Sequence, residues 1–300
     1  MRIAVTGSHG LIGSSLVPAL EASGHAVLRV VRGEALPEGA IPWAPEEGRI
    51  DGAALEGVDA VVHLAGVGIA ARRWTRSHRQ AVLDSRVQGT TLLARTLAQM
   101  DRPPRVLVSA SAVGFYGDRD DEVLGESSPS GSGFLAWVCR EWEAATRVAE
   151  DAGIRTVHLR TGIVLSARGG ALKAQLPVFR LGLGGRLGRG TQWLSWIHLD
   201  DEVGAIGHVL ADSAVSGPVN LVAPNPVTNA DFTAGLARTL RRPAVLAVPA
   251  PALELALGPQ MARELLLASQ RAEPGVLIST GYRFAHLHLE EALADALGRS

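Results

Sequence analysis

Lysine occurs once in this 300-residue chain, at Lys173, and tyrosine only at Tyr116 and Tyr282. Cysteine is as scarce. Cys139 stands alone, so no disulfide can close within the chain, and no zinc site of the multi-cysteine kind can be assembled. Long apolar runs are missing as well: the first, after Met1 and Arg2, ends at Thr6, too short for an export signal or a membrane span. Charge of one sign is lacking too, because 29 basic and 30 acidic residues are scattered to a formal net charge of -1. That balance offers no basic face to a nucleic acid and no polybasic tail to a membrane. Together these absences describe a soluble, unexported cytoplasmic protein. Its expected partner is a small-molecule substrate, neutral or anionic, and no metal site is expected.

What is present is ample apolar material. With 47% hydrophobic residues the chain can bury one large α/β domain or a domain with a smaller lobe. Short β-rich runs alternate with helical patterns through the first half, the pattern of a doubly wound parallel sheet of Rossmann type. Strands are expected at Arg2–Thr6, Ala26–Val31, Asp59–Leu64, Arg105–Ser109 and Thr156–Leu165. Helices are expected at Leu11–Ala22, ending before Gly24, at Ser77–Met100 and at Gly131–Ala152. Beyond about residue 166 glycine pairs and prolines shorten the elements. The expected division is a nucleotide-binding domain over 1–166, its sheet completed by later segments, and a smaller α/β substrate lobe over 167–300. In that lobe helices are read at Asn229–Leu240, Pro251–Leu257, Pro259–Ala272 and Leu287–Leu297, and strands near Pro218–Ala223 and Ala244–Val248.

The stretch RIAVTGSHGLIGSSL sets Gly7, Gly10 and Gly13 between an apolar strand and an amphipathic helix. Such a turn presents backbone N–H groups and the positive end of a helix to a pyrophosphate, and glycine keeps the approach clear. The second strand ends at Arg32 in VLRVVRG, where an NAD site usually carries a carboxylate for the ribose. A guanidinium there offers a 2′-phosphate charge and paired donors, which favours NADP(H); the alternative is a solvated loop cation.

TGSHGLIG at 6–13, DAVVHLAG at 59–66, SASAVGFYG at 109–117, LRTGIVL at 159–165 and WIHLDD at 196–201 resemble the extended short-chain dehydrogenase/reductase superfamily. RRW at 72–74, the Trp142–Glu143 pair, FRLGLGG at 179–185 and GYRF at 281–284 resemble its epimerase-family subgroup with an extra C-terminal domain. The resemblance implies cofactor contacts from Thr6, Leu11 and Ile12 beside the glycines, from Leu64, Ala65 and Gly66, from Arg86 and from Val164. It also implies a tyrosine and, four residues on, a lysine that move protons.

Composition forbids that pair. Four residues after Tyr116 comes Asp120, four after Tyr282 comes His286, and Leu135 and Cys139 stand where Tyr and Lys would fall. Ser111, past the strand Arg105–Ser109, is the candidate for the superfamily's serine, and Tyr116 is the remaining phenol, either catalytic or a wall aromatic. Cys139 reads as a small buried hydrophobe and His63 as a satisfied core histidine. By resemblance His198 is structural or faces substrate, with Asp200 or Asp201 capping a helix. Arg160, Arg180, Arg186 and Arg189 could clamp an anion. Two functions follow: an oxidoreductase or epimerase with a non-standard acid, or a non-catalytic NADP(H)-binding sensor.

Overall fold

The computed structural model describes residues 1–33 and 38–299. Eight strands build the main sheet: β1 (Arg2–Thr6), β2 (Ala26–Val31), β3 (Ile41–Ala44), β4 (Arg49–Ile50), β5 (Ala60–His63), β6 (Val106–Ala112), β7 (Arg155–Thr161) and β8 (Gly217–Leu221). Their spatial order is β8-β7-β6-β5-β1-β2-β3-β4. β1 pairs in parallel with β2 and β5, β2 with β3, and β5 with β6, while short β4 turns back antiparallel to β3. The α/β, doubly wound architecture expected from the alternating pattern is therefore the one observed. Strand order reverses on either side of β1, which makes the carboxyl ends of β1 and β5 the switch point where such sheets take ligands.

Two compact units interleave along the chain. One comprises Met1–Ser111, Val138–Leu159 and Ile206–Pro218; the other is built from Ala112–Trp137, Arg160–Ala205 and the residues from Val219 onward. The boundary expected at residue 166 falls inside a segment of the second unit. The reason is a return of the chain: Arg155 Nη1 donates to the carbonyls of Val209 and Val215, tying Ile206–Pro218 into the first unit. The first unit's core joins Ala4, Val30, Val61 and Leu107 of the sheet to Leu93 and Leu97 of the helix Arg76–Ala98. Each of these valine and leucine side chains contributes about 1.5–3 kcal/mol by leaving water. The second unit's core gathers Trp196, Leu172, Phe179, Phe232 and Leu293.

Three expected elements are divided. The helix read over Gly131–Ala152 is Phe134–Ala144 followed by Arg147–Asp151. Its break lies at Thr146, whose hydroxyl donates to the Glu143 carbonyl and pairs with His158 Nε2 at 2.9 Å. The strand read over Thr156–Leu165 becomes β7 and Ile163–Leu165, because Gly162 lets the chain change partner: Ile163–Leu165 pairs with Trp196–His198. A Cβ at Gly162 would lie 2.5 Å from the Ser195 carbonyl oxygen. The helix read over Pro259–Ala272 gives way to a π-turn at Ala262–Leu267 and then to Arg271–Ala272, drawn into parallel pairing with Val123–Leu124. The helix Gly170–Arg180 and strand β3 were not expected. Among the described residues no helix is long and apolar enough to cross a membrane.

Candidate functional site

β1 ends at Thr6 and the helix Gly13–Ala22 begins seven residues later, so the turn between them is tight. Gly7 takes φ +68°, and a Cβ on it would stand 2.8 Å from the Leu64 carbonyl carbon. Gly13 needs its bareness for space: its Cβ would lie 2.3 Å from the Gly7 oxygen. Leu11 and Ile12 complete the turn, and no side chain caps the helix that follows; the Ser14 and Ser15 N–H groups are taken by the Gly10 and Ile12 carbonyls, so a ligand would meet the N–H groups of the turn before them. Thr6 braces the turn against β5. Its Oγ1 lies 2.7 Å from His63 Nδ1 and accepts the N–H groups of Leu64 and Ala65.

His63 is the core histidine expected from its apolar strand. Its Nε2 meets Thr90 Oγ1 at 3.0 Å, and burial, helped by the nearby Arg86 cation, pushes its pKa down to about 4. It stays neutral at physiological pH.

Residues 64–67 form a ledge at the carboxyl end of β5. Ser85 Oγ accepts the Val67 N–H, and Arg86 Nη1 donates to the Val67 carbonyl at 2.9 Å. The Arg86 guanidinium also lies over the Trp142 ring and would come within 3.3 Å of a Cβ at Gly66, a tight approach that would press on Arg86. Burial pulls the Arg86 pKa down to about 10, leaving a cation at neutral pH. Arg86 thus supports the ledge from behind.

In front of the ledge a cavity of about 330 Å³ is lined by Arg32, Trp43, Pro45, Glu46, Ala65, Gly66, Asp84, Ser85 and Gln88. It gathers three residues the sequence proposed, Arg32, Ala65 and Gly66, and six it did not, Trp43 the largest of them. Trp43, packed edge-on to His63 at 5.8 Å between centroids, supplies the cavity's broad apolar surface. The signal for it was faint: a four-residue strand, IPWA, with Ile41 and Trp43 both facing inward. The site suits a dinucleotide on its own geometry. The turn cannot hold a Cβ at Gly7 or Gly13, Ser8 Oγ in it is a buried hydroxyl without a partner, and the cavity lining carries the Arg32 cation along with Glu46 and Asp84.

Ser111 lies on β6, two residues past Ser109, the partner of His63 in the β5–β6 register. This sets it at the level of Ala65, at the ligand-binding edge. Its Oγ donates to Glu143 Oε1 at 2.7 Å. Glu143 is the acidic member of the Trp142–Glu143 pair, and its helix, Phe134–Ala144, aims it back at β6. Leu135 and Cys139, on the same helix, are buried, so neither offers a proton carrier.

Tyr116, in the second unit, is 0% exposed. Its hydroxyl donates to Asn220 Oδ1 at 2.7 Å and accepts from Arg160 Nη1 at 3.1 Å, and burial raises its pKa. That geometry fits the wall aromatic. Arg160 is committed as well, stacked 3.5 Å from the Phe115 ring centre and donating to the Glu126 carbonyl, so it is withdrawn from any anion clamp. Arg180, Arg186 and Arg189 are exposed. Val164 is half-buried at the centre of its short strand, level with Ile197.

His198 is buried at the end of the strand Trp196–His198, and burial, with the neighbouring His286, lowers its pKa. Asp201 does not cap its helix. Its carboxylate instead accepts the N–H groups of Ala285 and His286, because the C-terminal turn folds back over it. Glu202 beside it is fully buried, accepts the Thr161 hydroxyl at 2.9 Å, and has its pKa pushed up to about 8 by burial.

Fold and site together define a doubly wound α/β protein with a nucleotide-binding turn at the sheet's switch point. The sequence pattern of the NAD dependent epimerase/dehydratase family matches residues 3–222, and a domain of unknown function, DUF1731, matches residues 248–296. The chain belongs to the NAD dependent epimerase/dehydratase family. It is 47% identical over 297 residues to an epimerase family protein of Mycobacterium bovis, covering 99% of this chain and 98% of that one. The crystal structure of the human epimerase family protein SDR39U1 with NADPH is similar at a TM-score of 0.91 and 35% identity, over 100% of both chains. The nucleoside-diphosphate sugar epimerase of Corynebacterium glutamicum gives a TM-score of 0.82 at 41% identity, over 99% of this chain and 58% of that longer one.

Proposed function

We propose that this protein binds NADP(H) and transfers hydride, as an oxidoreductase or epimerase, on a small hydroxyl or carbonyl compound. The human relative crystallised with NADPH supports the cofactor, and so does Arg32 in the cavity lining. Thr6, Gly7, Gly10, Leu11, Ile12 and Gly13 would hold the pyrophosphate, and Arg32, Trp43, Ala65 and Gly66 the adenosine end. The bound dinucleotide supplies the hydride acceptor or donor. The observation that carries the catalytic half is the Ser111–Glu143 contact of 2.7 Å at the ligand-binding edge. When a substrate hydroxyl gives up its proton, Ser111 Oγ takes it while passing its own to Glu143 Oε1. In reverse, the pair returns a proton to the alkoxide. This relay does the work of the missing tyrosine and lysine.

Two measurements test the reading. Replacing Arg32→Asp should weaken NADPH binding about 30-fold or more and leave NADH binding little changed, since a charged hydrogen-bonded contact is worth about 1.5–3 kcal/mol. Fluorescence titration with both nucleotides decides it, and an unaltered ratio would make Arg32 an ordinary surface cation. Nicotinamide fluorescence during incubation with carbonyl compounds and nucleotide sugars tests the relay. Ser111→Ala and Glu143→Gln should each lower turnover about 100-fold or more, with NADPH affinity retained. The buried Leu135 and Cys139 favour the rival reading, a sensor that binds without turning over. Tight NADPH binding by the unaltered protein with no turnover across the panel would establish that reading.

A further inference from the structure

Two histidines and an aspartate, distant in sequence, converge in the second unit. His198 ends the strand Trp196–His198, His286 lies in the turn before the helix Leu289–Ala296, and Asp295 is in the last turn of that helix. Asp295 Oδ2 lies 3.3 Å from His198 Nε2 and 3.6 Å from His286 Nε2. One ligand atom from each residue lies within 4.8 Å of the other two, and the imidazole centroids are 3.9 Å apart at a tilt of 36°. We propose that His198, His286 and Asp295 form a binding site for a divalent transition metal ion of the zinc type, with one coordination position left to water.

The spacing argues for it first. Metal–ligand bonds of about 2.0–2.1 Å in a tetrahedron separate neighbouring ligand atoms by about 3.4 Å, so the two nitrogen–oxygen distances already match a coordination edge. The surroundings argue for it next. Binding takes the Nε2 lone pair, so the ring proton must sit on Nδ1 with an acceptor behind it. Asp201 Oδ2 is 3.2 Å from His286 Nδ1, and Asp200 Oδ2 is 3.8 Å from His198 Nδ1. His198 Nδ1 accepts the Asp200 N–H, so on binding its ring proton must move to Nδ1 and Asp200 must turn its carboxylate in from 3.8 Å to accept it. Asp201 is held for its part by the Ala285 and His286 N–H groups and by the Tyr282 hydroxyl. Access is also available: the His198 side chain is 5% exposed, His286 15% and Asp295 47%, so an ion enters over the aspartate and a water completes the shell. Two imidazoles and one carboxylate suit zinc, cobalt, nickel or copper, and are poor company for magnesium or calcium. The ion would pin the helix Leu289–Ala296 to the strand Trp196–His198, whose residues share one core.

The test uses the full-length chain without any affinity tag, cleared of metal by chelator and dialysis. Calorimetric titration with zinc chloride should give one ion per chain, and cobalt(II) should produce the visible absorption of a four-coordinate site with nitrogen ligands. His286→Ala should weaken zinc binding at least about 100-fold and Asp295→Asn, at a half-exposed position, about 10-fold or more. NADPH affinity should be the same in both variants. Absence of zinc and cobalt uptake at about 0.1 mM metal overturns the proposal. So does uptake that survives both substitutions, or uptake lost with His25→Ala, which would place the ion at the exposed Met1 amine and His25 Nδ1, 3.2 Å apart.

Discussion

Gly13→Ala is expected to abolish measurable NADPH binding and to destabilise the fold by about 3 kcal/mol. The cause is space, since the added Cβ would stand 2.3 Å from the Gly7 carbonyl oxygen and 2.8 Å from Ser8 Cα, both backbone atoms. Relief can come only by moving the helix Gly13–Ala22 away from β1 or by spreading the turn. Either movement takes the N–H groups of the turn out of register with a pyrophosphate. Gly10→Ala supplies the contrast. Its Cβ would meet only the Gly7 oxygen, at 3.2 Å, so the fold should tolerate it. Fluorescence titration and urea unfolding of the two variants check the pair of expectations. Unchanged NADPH affinity in Gly13→Ala would remove the turn from the binding site altogether.

The second large effect concerns pH. Glu202 is fully buried, its Oε2 has no hydrogen-bond partner, and burial raises its pKa from the ordinary 4.5 to about 8. Between those values the folded protein keeps a proton that the unfolded chain has released. The folded state therefore binds more protons, and stability must fall as pH rises. This contribution is complete below pH 4.5 and gone once the pH has passed about 8. Glu202→Gln keeps the shape and an acceptor for Thr161 but cannot ionise. It should match the parent at pH 4 and exceed it at pH 9 by on the order of 4 kcal/mol. Urea unfolding across that range is the measurement, and parallel curves for the two proteins would mean that Glu202 does not titrate through folding. Tyr282, whose pKa is also raised by burial and then by Asp201, stays protonated throughout the range.

The nucleotide-binding turn was legible because everything it needs is local: a strand, bare glycines and a helix start, all within residues 2–22. The same holds for the end of β2, where Arg32 reaches the cavity lining. His63 and Cys139 were also readable, since a polar or small residue inside an apolar run has few other places to go. The misjudgements have a common physical origin. Thr146 ends a helix because His158, on another element, takes its hydroxyl; Gly162 redirects a strand because the Ser195 carbonyl is waiting. Neither partner is near in sequence.

The catalytic candidates divide along the same line. Ser111 could be placed from its strand end, but its partner is 32 residues away, and only the packing of the helix Phe134–Ala144 makes Glu143 that partner. Tyr116 looked equally eligible until Asn220, 104 residues distant, closed over its hydroxyl. The sequence by itself determined the fold class, the glycine turn and the absence of a tyrosine–lysine pair, because these depend on local backbone geometry and on composition. Tertiary structure alone decided which polar groups lose water and which meet one another: the Ser111–Glu143 hydrogen bond, the cavity at Trp43, the sealed Tyr116, the buried Glu202 and the convergence of His198, His286 and Asp295. Burial and close approach are properties of the packed chain, and no local pattern encodes them.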